Sequence, residues 1–146
     1  VEINDDNYKQ LIDAVVDDLI VEKLKNKKIN EYDISYEKDE FNKQEKRFYT
    51  SLNYEKESLK NIFSLNNINY KYLLDYIEIE LKWQKLIYGL YLRVTSVTDQ
   101  ELNDLISKNP NMTKEIANEI ILQKQLDIKS KKLIKDLRDE ATIEYK

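Results

Sequence analysis

Gly89 and Pro110 are the only glycine and the only proline in 146 residues. Sheet proteins draw on glycine, proline and asparagine for a turn every few positions. A chain this poor in both is confined to helices joined by short Asn- and Lys-rich loops. Cysteine and histidine are absent. Their absence removes disulfides, thiolate nucleophiles, the usual near-neutral general base and the commonest metal ligand. Histidine-based triads and zinc sites go with them, and one glycine cannot build a phosphate-cradling loop. Carboxylates are plentiful, yet Asp13, Asp17, Glu22, Glu37 and Asp39 read as solvated helix faces. The Asp5-Asp6 and Asp17-Asp18 pairs lack the spacing and the glycine of a calcium loop. The expectation is therefore an all-α protein without catalysis, metal or cofactor.

The length suits one domain of about six helices. The first is expected over about Asp5 to Asn26, capped by Asn4. Tyr8, Leu11, Ile12, Val15, Val16, Leu19, Ile20 and Leu24 form one continuous apolar stripe along it. A second helix is expected from Asn30, with Asn30 and Asp33 as a capping box and Ile29 and Ile34 as a hydrophobic staple. Its buried line is thin: Ile34, Phe41 and Phe48. A short third helix covers about Glu55 to Ser64, burying Leu59, Ile62 and Phe63, and Asn66-Asn67 ends it. The fourth, about Tyr70 to Arg93, carries Tyr72, Tyr76, Ile79, Trp83, Leu86, Leu90 and Val94 on one face. Leu73, Leu74, Ile77, Leu81, Tyr88 and Leu92 widen that face. A helix apolar over most of its circumference is packed on several sides, so it reads as a central strut about 35 Å long. Val97-Thr98-Asp99-Gln100-Glu101-Leu102 holds a capping box and a staple that open a short fifth helix ending near Ser107. After the loop at Pro110, a long return helix runs from about Thr113 to Asp139. The tail, 141–146, alternates like a strand, and pairing with Val1 to Ile3 would give the chain a minimal two-stranded element.

A net charge of −4 argues against a nucleic-acid backbone as partner. The basic run Lys129, Lys131, Lys132, Lys135 and Arg138 lies near a helix C-terminus, where the helix dipole favours it. No apolar run approaches the roughly 18 residues that would span a bilayer. The chain opens on Val1 rather than Met, which leaves room for a leader, a tag or a longer N-terminus removed upstream. Asn111 to Thr113 has the form of a glycosylation sequon, a triplet common by chance. The remaining signal is aromatic: eleven tyrosines, three phenylalanines and one tryptophan. Tyr72, Tyr76 and Trp83 lie on the expected core stripe. Tyr32 and Tyr36, four apart, are expected as helical neighbours away from the buried line, either incidental or in contact with a partner.

The order of motifs resembles a known family. An amphipathic "LIDAVVDDLIVEKLKNKKI" leads to "NEYDI". The chain then passes through "NNINYKYLLDYIEIELKWQKLI" to "RVTSVTDQEL" and ends "KLIKDLRDEATIEYK". This is similar, over nearly the whole chain, to the N-terminal domain of the SurA-like periplasmic chaperones and parvulin-type foldases. Members of that family commonly insert parvulin isomerase domains between the "TDQEL" helix and the final helix. Here a short loop at about 108–112 stands in that place, so isomerase activity is expected to be absent. Members also commonly carry a strand and helix ahead of the first helix, of which only Val1 to Ile3 remains. The resemblance implies an ATP-independent holdase for unfolded, aromatic-rich outer-membrane polypeptides in the Gram-negative periplasm, as monomer or dimer. A groove between the fourth and second helices would take the client, with Tyr32, Tyr36, Phe48, Tyr49, Tyr72, Tyr76, Trp83 and Tyr91 as contacts. Two client aromatics would contribute ~8–12 kcal/mol gross against an association cost of roughly 4–15, so binding is expected to be weak. The alternative is a helical structural protein that binds one folded partner.

Overall fold

The computed structural model describes residues 5–144. Six α-helices occur among the described residues: α1 Asp5–Ile29, α2 Lys38–Leu52, α3 Lys56–Leu65, α4 Lys71–Tyr91, α5 Asp99–Lys108 and α6 Lys114–Glu144. A single 3-10 turn, Leu92–Val94, follows α4. The protein is all-α, and no strand occurs among these residues. None of the described helices is long and apolar enough to cross a membrane.

With glycine so scarce, asparagine supplies the left-handed residues that end helices. Asn53 (φ 57°) and Asn67 (φ 56°) are the positive-φ residues among those described. Beyond α2, Asn53 N–H donates to Thr50 O at 3.2 Å and Tyr54 N–H to Tyr49 O at 3.1 Å. Beyond α3, Asn67 N–H donates to Ser64 O at 3.1 Å and Ile68 N–H to Phe63 O at 2.9 Å. Both are Schellman closures with asparagine in the position glycine usually takes. Asparagine tolerates that conformation because its short polar side chain bonds locally. At the following start, Asn69 Oδ1 accepts from Lys71 N–H at 3.0 Å. The expected capping box of α5 is present: Glu101 N–H donates to Thr98 Oγ1 at 3.2 Å, and Thr98 N–H to Glu101 Oε2 at 3.3 Å. Thr113 likewise accepts from Ile116 N–H at 3.2 Å, opening α6.

Three boundaries differ from expectation. α1 continues to Ile29, which is almost fully buried. Asn30 therefore does not cap α2. Its N–H donates back to Asn26 O at 3.0 Å, so it closes α1. α2 begins eight residues later, where Glu37 N–H donates to the Glu40 carboxylate at 2.7 Å. Residues 30–37 form a turn and an irregular connection, and Tyr32 and Tyr36 lie on it rather than on a helix face. At the other end, Ala141 to Glu144 continue α6 instead of forming a strand. A helix already propagating gains one hydrogen bond per added residue, which outweighs a short alternating pattern. The Asn4 cap and the Val1 to Ile3 strand lie outside the described residues.

The chain forms two compact units, 1–85 and 86–146, with the boundary inside α4. In the first, Tyr49, Leu59, Leu73 and Ile77 make a core against which Phe41, Phe48, Phe63 and Tyr70 pack. Leu81 and Trp83 are buried in the same unit. In the second, Leu86, Ile87, Leu102, Ala117 and Leu126 are buried, and Gln125 Nε2 donates to Ser96 O at 2.7 Å.

Candidate binding surface

The apolar stripe of α1 is open from Ile12 to Ile20. Ile12, Val15, Val16, Leu19 and Ile20 are each between 43% and 53% exposed. They recur at gaps of three and four, so they stand on one face. The last turns of α1 face inward: Ile29 is buried, and Lys25 Nζ bonds Glu80 at 2.8 Å and lies 5.7 Å from the centre of the Trp83 ring. This anchors the helix near its C-terminal end, beyond the open residues Ile12 to Ile20. Half-exposed aliphatic residues are normal when scattered. Five on one stripe form an apolar patch of the kind that marks a contact surface.

That stripe runs into a recess between α1 and α4. The recess holds about 280 Å³ and is lined by Val15, Leu19, Asp18, Glu22, Lys25, Tyr76 and Glu80. On the other side of Tyr76, a second recess of about 330 Å³ opens between α2 and α4, lined by Gln44, Arg47, Phe48, Ser51, Tyr76, Ile77, Glu80 and Gln84. Tyr76 and Glu80 belong to both. Phe48 meets Tyr76 edge to face, with ring centres 6.0 Å apart. Burial raises the Tyr76 hydroxyl above its ordinary pKa, and the charges of Glu80, Glu22 and Asp18 raise it further. The recess thus combines apolar side chains with three carboxylates, one of them paired with Lys25.

A third depression, about 600 Å³ and shallow, is lined by Tyr36, Lys38, Phe41, Asn42, Leu74, Asp75 and Glu78. Tyr36 stacks on Phe41 at 6.0 Å, and Lys82 Nζ lies 5.8 Å from its ring centre. Its hydroxyl is raised first by burial and then by its hydrogen bond to Glu78. Tyr36 is therefore held against α2 and α4 although it lies off any helix.

Of the eight aromatic residues expected as contacts, Phe48, Tyr76 and Tyr36 line the recesses just described, and Tyr49 lines a further one of about 260 Å³ with Asn42, Glu45, Lys46 and Lys56. Tyr32 is exposed on the connection, with Lys28 Nζ 5.8 Å from its ring centre. Trp83, 3% exposed, is core and takes no part in a surface. Tyr49 is also buried: its hydroxyl donates to Glu45 Oε1 at 2.7 Å and pairs with the Tyr70 hydroxyl. Tyr72 departs from its expected place on the core stripe and is 71% exposed. In the first turn of α4 it is Leu73, about 100° further round, that reaches Tyr49 and Leu59. Tyr91 belongs to the second unit, half-buried, with Lys129 Nζ 5.9 Å from its ring centre. The aliphatic stripe of α1 was not among the sequence candidates for contact. Its periodicity is the same whether a helix face is covered or open, so only its neighbours could reveal it.

No group of three or more acidic side chains positioned to hold a metal ion occurs among the described residues. Comparison with family models, curated proteins and solved structures returned no match.

Proposed function

We propose that this chain is a non-catalytic polypeptide-binding module of the holdase kind. The observation that carries the reading is the open α1 stripe continuing into the recess at Tyr76. Fully burying an aliphatic side chain contributes about 1.5–3 kcal/mol, so covering five half-exposed ones contributes ~4–7 kcal/mol gross. Association costs roughly 4–15 kcal/mol. The stripe alone therefore binds weakly, and occupation of the recesses beside Tyr76 and Phe48 adds the remainder. Weak, hydrophobic and nucleotide-independent capture is what a holdase requires. Outer-membrane clients and a periplasmic setting are the part of the proposal that follows from the resemblance in motif order.

The test is suppression of aggregation of an unfolded outer-membrane protein as it is diluted from denaturant. Suppression at a few-fold molar excess, without acceleration of prolyl isomerisation in a peptide assay, is the expected result. Unchanged aggregation at large excess removes the proposal. A second reading, docking of one folded partner, draws on the helical spacing of the stripe, which would suit a single packed helix. That reading requires one tight, saturable complex and no general effect on unfolded clients.

A further inference from the structure

We propose that the α1 stripe and the recess beside it select cationic amphipathic segments, with a lysine or arginine of the segment entering between Tyr76 and the Asp18 and Glu22 carboxylates. The inference rests on the polypeptide-binding reading and names the chemistry of the partner. At 100° per residue, Asp13 and Asp17 border the stripe on one side and Asp18 and Glu22 on the other. Asp5 to Glu22 holds six carboxylates and one lysine, an excess larger than the net −4 of the whole chain. From Ile12 to Ile20 the face is bordered by carboxylates on both edges, with Lys9 and Lys23 on the same face beyond its two ends; carboxylate edges of this kind attract cationic segments and repel anionic ones.

The recess adds a place for the charge itself. Asp18 and Glu22 line it together with the Tyr76 ring. Glu80, its third carboxylate, already holds Lys25 at 2.8 Å, so Asp18 and Glu22 are the carboxylates left to meet an incoming cation. An ammonium or guanidinium there gains both carboxylates and the aromatic face. The raised Tyr76 hydroxyl agrees with a negative potential at that point. A second copy of this chain fits less well. The basic stretch of α6 presents Ile128 as its one strongly exposed apolar residue among Lys124, Lys131, Lys132 and Lys135, too little to cover a five-residue stripe. Two copies also repel through their net charge.

Fluorescence anisotropy with three labelled peptides of one amphipathic pattern tests this: Leu/Lys, Leu/Gln and Leu/Glu. The Leu/Lys peptide is expected to bind about tenfold tighter than Leu/Gln at low salt, with Leu/Glu weakest. The advantage should shrink as salt is raised. The variant carrying Asp13→Asn, Asp18→Asn and Glu22→Gln should lose that advantage, read as the ratio of Leu/Lys to Leu/Gln affinity falling to about one. Asp13 and Asp18 are exposed and Glu22 is half-buried, and circular dichroism checks that the variant folds. Equal binding of the Lys and Gln peptides overturns the charge preference and leaves the polypeptide-binding reading standing. Binding of no peptide, together with unchanged client aggregation, overturns both. A concentration-dependent dimer in sedimentation that the Leu/Lys peptide cannot dissociate overturns the choice of occupant.

Discussion

At the scale of single residues, glycine and asparagine have exchanged their customary places. Asn53 and Asn67 hold the left-handed positions, while Gly89 sits inside α4 without positive φ. A Cβ built on Gly89 meets nothing within 4 Å. Glycine in a helix interior is less stable than alanine by roughly 0.5–1 kcal/mol. Gly89→Ala is accordingly expected to raise stability by about that amount, read as a higher denaturation midpoint; a lower midpoint would contradict the open surroundings. Glu45 is the buried charged residue of the first unit among those described. Lys56 Nζ reaches its Oε1 at 2.7 Å, and Tyr49 donates to the same oxygen at 2.7 Å. Burial pushes the Glu45 carboxyl up, but the Lys56 and Tyr49 hydrogen bonds together outweigh it, and its pKa ends below the ordinary value. A lowered carboxylate pKa contributes stability that is complete above the unfolded-state value and is lost as pH falls through the folded-state value. Unfolding free energy should therefore decline on acidification from about pH 4.5 downward. Glu45→Gln should flatten that decline and lower stability at neutral pH by on the order of 1 kcal/mol, with half-exposed Lys56 screened by water. An acid dependence identical in the two proteins would exclude Glu45 as its source.

At the scale of elements, α1 and α4 carry the argument. Both are amphipathic from their sequence, but α4 is covered over much of its circumference whereas α1 from Ile12 to Ile20 is not. The difference sets opposite expectations for similar substitutions. Val16→Gln with Leu19→Gln keeps good helix-forming residues and removes two open side chains. Stability should move by no more than ~0.5 kcal/mol per site, the usual range for a surface position. Client suppression and peptide binding should fall several-fold. Were the stripe covered in the free protein, the same changes would cost about 2–5 kcal/mol each, as core truncations do. A denaturation curve therefore distinguishes an open stripe from a covered one before any binding is measured. The start of α2 was not legible for a related reason. Asn30 is a good cap by residue type, but the burial of Ile29 at the end of α1 makes Asn30 a terminator. A local motif cannot weigh that long-range packing.

At the scale of the molecule, α4 supplies buried side chains to both units: Leu73, Ile77, Leu81 and Trp83 to the first, Leu86 and Ile87 to the second. Neither unit can release α4 without losing part of its core. A single cooperative transition is expected, with denaturation followed by fluorescence of Trp83, the only tryptophan, coinciding with loss of helical circular dichroism. Two separated transitions would show that the shared helix does not couple the units.

The all-α class, the positions of α3 and α4 and the capped start of α5 were readable from residue order, because helical periodicity, asparagine breaks and a Thr-x-x-Glu box act within a few residues of chain. The same short range explains where sequence alone stopped. Whether Tyr72 or Leu73 enters the core, whether Trp83 is sealed, and whether the face of α1 is covered or left to solvent depend on side chains brought together from distant positions, and burial is a property of those neighbours rather than of the residue that carries it.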